Sequence, residues 1–160
     1  MRLPTQLLAQ RYQQNLYAAA FSACACAQDA EDAVQETFLK YHTIEKEFES
    51  EQHIKAWLLR VAINQAKNSA RSFWRRNTLP LEDYIEALPF QEPEDQQVMQ
   101  AVMALPEKYR LPIHLYYYED YALKDIASIL GITLAAAKQR LSRGRKLLMT
   151  TLMEEWNDDE

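Results

Sequence analysis

Apolar residues recur along most of this chain at the spacing of three and four that marks an amphipathic helix. Leu8, Tyr12, Leu16, Ala19 and Ala20 predict a first helix over about 7–27. Acids crowd the start of a second helix near Asp29, where negative charge complements the helix dipole. Ala33, Val34, Thr37, Phe38 and Tyr41 follow it at helical spacing. Residues 43–52 are acidic and aperiodic and predict a loop or a short broken helix. A third, long helix then runs to about Trp74, with Ile54, Trp57, Leu58, Val61, Ala62 and Ala66 as its apolar face.

The pattern breaks over 77–95, where Pro80, Pro89 and Pro93 stand among six acids, the composition of a linker. Helical spacing resumes at 96–104 and again at 108–118, after Pro106 at a favourable first-turn position. Pro112 falls early enough in that helix for its missing N–H to matter little. Two more helices are predicted over 123–130 and 134–153, and the acidic tail from Glu154 reads as a solvated helix end. The expected fold class is all-α, with two small helical domains, 1–76 and 96–160, joined by a flexible acidic linker over 77–95.

Composition narrows the functions. At 160 residues, 48% hydrophobic and 26% charged, the chain is that of a folded protein with room for one ordinary domain or two small ones. Gly131 and Gly144 are its two glycines, which excludes a Gly-rich phosphate loop. No apolar run approaches the ~18 residues that cross a bilayer and no export signal opens the chain, so a cytoplasmic protein without membrane insertion is expected. Cys24 and Cys26 are too close for an ordinary structural disulfide and read as small packing residues in an Ala-rich helix. His42, His53 and His114 are scattered, so neither a metal site nor a cofactor is expected. With no nucleophile–base pair either, an enzyme is disfavoured.

The net charge of −5 argues against a polyanionic partner until its distribution is examined. No acid occurs between Glu51 and Glu82, where Lys55, Arg60, Lys67, Arg71, Arg75 and Arg76 fall. None occurs between Asp125 and Glu154, a stretch holding Lys138, Arg140, Arg143, Arg145 and Lys146. A single basic block is most often a solvated helix face. Two blocks separated by acidic stretches suggest two footprints on one polyanion.

The second block has the grammar of a helix-turn-helix. Ile126, Ala127 and Leu130 form the inward stripe of a short helix, Gly131 falls where a left-handed C-cap favours glycine, and Thr133 can cap the next helix. That helix puts Ala137, Leu141, Gly144 and Leu148 on one side and Gln139, Ser142, Arg143 and Lys146 on the other. Arg and Lys suit phosphates and guanine edges, and Gln suits adenine. In the first block, Arg60, Asn64, Lys67 and Arg71 recur on one face of the third helix, opposite the Trp57/Val61 stripe. Phe48, Phe73 and Trp74 are aromatics against which an unstacked base could rest, although a core role for them is equally open.

Taken in order, Asp29-Ala-Glu-Asp-Ala-Val-Gln-Glu-Thr-Phe-Leu-Lys, Trp57-Leu-Leu-Arg-Val-Ala-Ile-Asn-Gln-Ala-Lys-Asn, Leu105-Pro-Glu-Lys-Tyr-Arg and the helix-turn-helix resemble extracytoplasmic-function (ECF) sigma factors, from about 7 to 148. The resemblance implies a dissociable subunit of bacterial RNA polymerase that recognises promoter DNA and starts transcription by melting the minus-ten region. It implies that Asp32, Gln35 and Glu36 dock on the clamp region of the largest core subunit. It implies that Phe48, Arg60, Asn64, Lys67, Asn68 and Arg71 serve the minus-ten element, where one base of the melted single strand is flipped into a protein pocket. Lys138, Gln139, Arg140, Ser142, Arg143 and Lys146 would read the minus-thirty-five duplex, and the linker would thread through the polymerase. The chain departs from many relatives in having Ala136-Ala137 where they place Thr-Val, and its loop Glu45-Lys-Glu-Phe-Glu-Ser-Glu lacks their basic and glycine residues. A cognate anti-sigma factor is a further implied partner, for which the tyrosine-rich surface 115–121 is a candidate, as is packing within the domain. Two other readings are a helix-turn-helix regulator acting without polymerase, disfavoured by the first basic block and the acidic 29–36 helix, and a non-DNA protein-interaction module.

Overall fold

The computed structural model describes the backbone of residues 1–73 and 93–158, with side chains over 1–68 and 97–154. Among the described residues every regular element is a helix. The chain divides into two compact units, Met1–Leu88 and Pro89–Glu160. The expected linker lies outside the described residues up to 92, as do Trp74, Arg75 and Arg76. Its last positions are helical, because Pro93 opens a helix as the first residue, where its absent N–H has no intrahelical partner to lose.

The first unit packs α1 (Thr5–Cys24), α2 (Ala27–Thr43) and α3 (Glu51–Phe73) each against the other two. Leu8 and Leu16 of α1, Ala33, Val34 and Tyr41 of α2, and Ile54, Leu58, Leu59, Ala62, Ile63 and Ala66 of α3 form its core. Each Leu or Ile so buried contributes roughly 2 kcal/mol through the water it sheds. The C-terminal part of α1, Ala18 to Ala23, is buried on every side, with small side chains at every position except Phe21. The cysteines differ from expectation. Cys24 ends α1, Ala25 takes a left-handed conformation (φ 53°) with its N–H on the Phe21 carbonyl at 2.7 Å, and Cys26 is extended before α2. Both thiols are half-buried at a tight reversal, Cys24 as the last residue of α1 and Cys26 just outside a helix.

The buried stripe of α3 is also broader than the sequence suggests, and displaced. Leu59 and Ile63 belong to the core, whereas Trp57 and Val61 are only half-buried. Residues seven apart on a helix differ by about 20°, so Trp57 lies on nearly the same side as Asn64, not opposite it. The connection from α2, residues 44–50, is irregular, and the Ser50 hydroxyl caps α3 by accepting the His53 N–H at 3.1 Å.

The second unit contains α4 (Pro93–Met103), α5 (Glu107–Tyr117), α6 (Leu123–Leu130) and α7 (Leu134–Asp158). Val102, Leu105, Ile113 and Leu141 form its centre, with Val98, Tyr109, Tyr116, Leu123 and Leu148 packed around them. Buried Arg110 donates to the carbonyls of Met103 at 3.2 Å and Leu105 at 3.3 Å, satisfying acceptors that the end of α4 leaves open. Pro112 lies beyond the first turn of α5, contrary to expectation, so the Lys108 carbonyl lacks its ladder donor. Lys108 is exposed, which lets solvent take that acceptor.

Candidate nucleic-acid and polymerase interfaces

The helix-turn-helix is built by local chemistry. Ile126, Ala127 and Ile129 are the buried residues of α6; Ile129 takes the place expected for Leu130, which is half-buried. Gly131 adopts φ 68°, its N–H reaches the Ser128 carbonyl at 3.3 Å, and the Ile132 N–H reaches the Ala127 carbonyl at 3.0 Å. This pair of bonds is a Schellman cap, closed by a residue that carries no Cβ penalty. Two residues on, the Thr133 hydroxyl accepts the Ala136 N–H at 3.1 Å and starts α7. Gly144 sets how closely α7 lies on α5. A Cβ there would stand 2.7 Å from Ile113 Cδ1 and 3.3 Å from Tyr109 Cβ.

With Ala137, Leu141 and Gly144 turned inward, α7 exposes Lys138, Gln139, Ser142, Arg143 and Lys146, and half-exposes Arg140. Two cations on this helix are held by tyrosines of α5, which sequence reasoning missed. Hydrogen bonds with Arg143 and then Lys108 hold the Tyr109 phenol below its ordinary pKa. Arg145 Nε donates to the Tyr117 hydroxyl at 2.6 Å, and its guanidinium lies 4.9 Å from the Tyr116 ring and 5.4 Å from the Tyr117 ring. Arg145 is thereby engaged within the unit, while Tyr117 itself stays 49% exposed. Tyr116 and Tyr117 pack edge to face, Tyr118 lies 5.5 Å from the buried His114 ring, and Leu115 is fully buried.

In the first unit the outer side of α3 exposes Arg60, Asn64 and Asn68 and half-exposes Lys67. Arg71 falls on the same helix, and its side chain, like that of Phe73, is outside the described residues. Phe48 requires correction as an open stacking surface, because it is 3% exposed. Its ring sits among Tyr41 at 5.9 Å, Trp57 at 5.8 Å and His53 at 5.3 Å. Burying the ring anchors the otherwise irregular loop. The aromatic left partly open beside Asn64 is Trp57, which packs one side toward Tyr41 at 6.2 Å.

On α2, Asp32, Gln35 and Glu36 are all exposed, and Gln28 Nε2 donates to Asp32 Oδ1 at 3.1 Å. Leu39, one turn after Gln35, is 60% exposed on the same face. It borders a groove of about 420 Å³ between α1 and α2, lined by Ala9, Gln13, Val34, Phe38 and His42 among others. Its signal was available in the sequence, as a leucine at helical spacing within an otherwise polar face.

Among the described residues no cluster of three His, Cys, Asp or Glu side chains suits a metal ion, and no helix is long and apolar enough to cross a membrane. The family model described as Sigma-70 region 2 matches residues 8–76, and that described as Sigma-70, region 4 matches residues 95–148. The ECF RNA polymerase sigma-E factor of Escherichia coli is 29% identical over 159 residues, covering 89% of this chain and 83% of that one. The ECF RNA polymerase sigma factor SigM of Mycobacterium tuberculosis is 27% identical over 147 residues, covering 91% and 75%. In fold, the chain resembles the sigma factor RpoE of Bartonella quintana, solved in complex with the anti-sigma factor NepR (TM-score 0.72, 24% identity, 92% and 96% covered). It also resembles CnrH, solved with the cytosolic domain of CnrY (TM-score 0.67, 24% identity, 94% and 88% covered). Two separately built helical units, each presenting a polar acid-free face and matched in order by the two region models, place this chain in the ECF group of sigma-70 factors, the dissociable subunits that direct RNA polymerase to promoters.

Proposed function

We propose that residues 1–76 form the unit that binds core polymerase and the minus-ten element, that 77–95 is the tether, and that 96–160 is the unit that binds the minus-thirty-five element. Asp32, Gln35 and Glu36 then meet the clamp region of the largest core subunit, with Leu39 as an apolar addition to that surface. Arg60, Lys67 and Arg71 contact the backbone of the melting strand, Asn64 and Asn68 meet its bases, and Trp57 replaces Phe48 as the aromatic at which an unstacked base rests. Lys138, Gln139, Arg140, Ser142, Arg143 and Lys146 read the upstream duplex. Alanines at the start of α7 leave direct readout to the residues further along it.

The observation that carries this reading is the pair of outward polar faces, one on α3 and one on α7, in units built separately. Each reader alone is small, and fixing their separation on polymerase converts the second contact into an intramolecular one. The chain's net negative charge of −5 weakens binding to DNA in the absence of core. The protein works in the cytoplasm, where its DNA and polymerase are, and it catalyses no reaction of its own. A cognate anti-sigma factor that occludes these faces is a further partner in this reading, and the sigma factor RpoE of Bartonella quintana was solved in complex with an anti-sigma factor.

The test is transcription by core polymerase with and without this chain over a promoter library, in which start sites are expected that depend on the added protein. Their absence would sink the proposal. On such a promoter, Asn64→Ala is expected to lower open-complex formation while leaving affinity for core unchanged.

A further inference from the structure

The first residues of the chain lie across the loop that joins α2 to α3. Arg2 Nη2 donates to the Tyr41 carbonyl at 2.6 Å and Nη1 to the Lys46 carbonyl at 3.1 Å, while the guanidinium lies 4.4 Å from the centre of the Tyr41 ring. Leu3 and Tyr41 exchange two further bonds. The Leu3 N–H donates to the Tyr41 hydroxyl at 3.1 Å, and that hydroxyl donates to the Leu3 carbonyl at 2.7 Å. Beyond them the Phe48 N–H donates to the Met1 carbonyl at 3.1 Å. One short strap thus spans the loop from the end of α2 to close before the start of α3.

This arrangement answers a physical need. Residues 44–50 form no helix, and the chain must place Phe48 in the core against Tyr41 and Trp57. A planar guanidinium donates to two carbonyls from a fixed fork while lying flat on a ring, a geometry that the compact, strongly hydrated ammonium does not impose. Arg2 is itself exposed, so it contributes little to the core and much to the loop's shape. Tyr41 carries the effect inward, since its ring meets Arg2 and also packs against Phe48 and Trp57.

We infer that Arg2 and Leu3 are positioning residues for promoter recognition: they hold the α2–α3 loop and, through the Tyr41 and Phe48 rings, fix how the Trp57 ring is packed and which part of it stays open next to Asn64 on the reading face of α3. The inference rests on the proposed assignment of that face to the minus-ten element, and it adds a specificity determinant far from it in sequence. Base discrimination at the flipped position then depends on a strap that never touches DNA.

The test uses the full-length chain with core polymerase, on a promoter that requires it and on single-stranded minus-ten oligonucleotides varied at the flipped base. Arg2→Ala is expected to remove hydrogen-exchange protection at the Phe48 amide and to flatten discrimination between bases by about tenfold, the scale of one charged hydrogen bond, with core affinity unchanged. Arg2→Lys keeps the charge without the fork and is expected to fall between the two. Unaltered base discrimination in Arg2→Ala would overturn the inference, as would a loss that Arg2→Lys restores in full, because the charge alone would then suffice. Asn64→Ala, run in parallel, separates the failures. If it impairs opening while Arg2→Ala leaves discrimination intact, only the strap is wrong; if it has no effect, the assignment of the α3 face falls, and this inference with it.

Discussion

The two reading faces are held in place by different means. In the second unit, the turn that aims α7 is built by residues next to one another, since Gly131 closes α6 and Thr133 opens α7, and distant contacts such as the close approach at Gly144 then seat the helix. In the first unit, α3 is a long regular helix, but the loop and aromatic ring beside its polar face are held by residues some forty positions away, Arg2 on Tyr41 and Lys46, and Phe48 on Met1. A reader of duplex DNA can be a rigid helix aimed once. A surface that receives an unstacked base needs a shaped pocket, and shaping it requires tertiary contacts.

The sharpest test of this contrast is Phe48→Ala. Removing a buried ring from the centre of the Tyr41, His53 and Trp57 cluster should destabilise the first unit by about 3–4 kcal/mol. Hydrogen exchange resolved by residue should show the loss over α1–α3 and leave α4–α7 unchanged. Equal loss in both units would mean that they do not fold as separate bodies.

Acid should act in the opposite place. Burial depresses the His114 imidazole to about 4 from its ordinary 6.5, against a smaller opposing pull from Glu119. The unfolded chain then takes up that proton first as the pH falls. The histidine's contribution is intact above about pH 6.5, is lost between 6.5 and 4, and is constant below that, for a total of roughly 3 kcal/mol. His114→Phe should flatten this part of the stability–pH curve for the second unit and leave the first unit's curve as it was. An unchanged slope would assign the acid sensitivity to carboxylates instead.

The smallest effect is expected at the start of the recognition helix. Thr133→Ala removes the hydroxyl that accepts the Ala136 N–H and should cost about 1 kcal/mol, read as faster exchange over the first turn of α7. Use of promoters with an upstream element should weaken with it, while single-strand binding through α3 is retained. Loss of both would contradict the separation of the two readers.

Much of the architecture was legible in the amino-acid order, because helices, caps and acid-free faces are written in neighbours three to seven positions apart. Gly131, Thr133 and the outward set Gln139, Ser142, Arg143 and Lys146 are of this kind. Trp57 shows the limit of such reading: its aromatic chemistry suggests core, whereas helical spacing puts it next to Asn64 and the neighbouring rings decide how much of it stays open.

By itself, then, the sequence determined that this protein is helical, where its turn between α6 and α7 closes, and which cations share a face, since each follows from backbone geometry over one or two turns. Tertiary structure alone decided that Phe48 is buried, that Arg110 caps the end of α4, that Tyr109 and Tyr117 hold Arg143 and Arg145, and that Arg2 straps the α2–α3 loop. The physical reason is that these bonds join groups whose proximity depends on how the helices pack. Periodicity along the chain carries no record of which partner a side chain will meet across that packing.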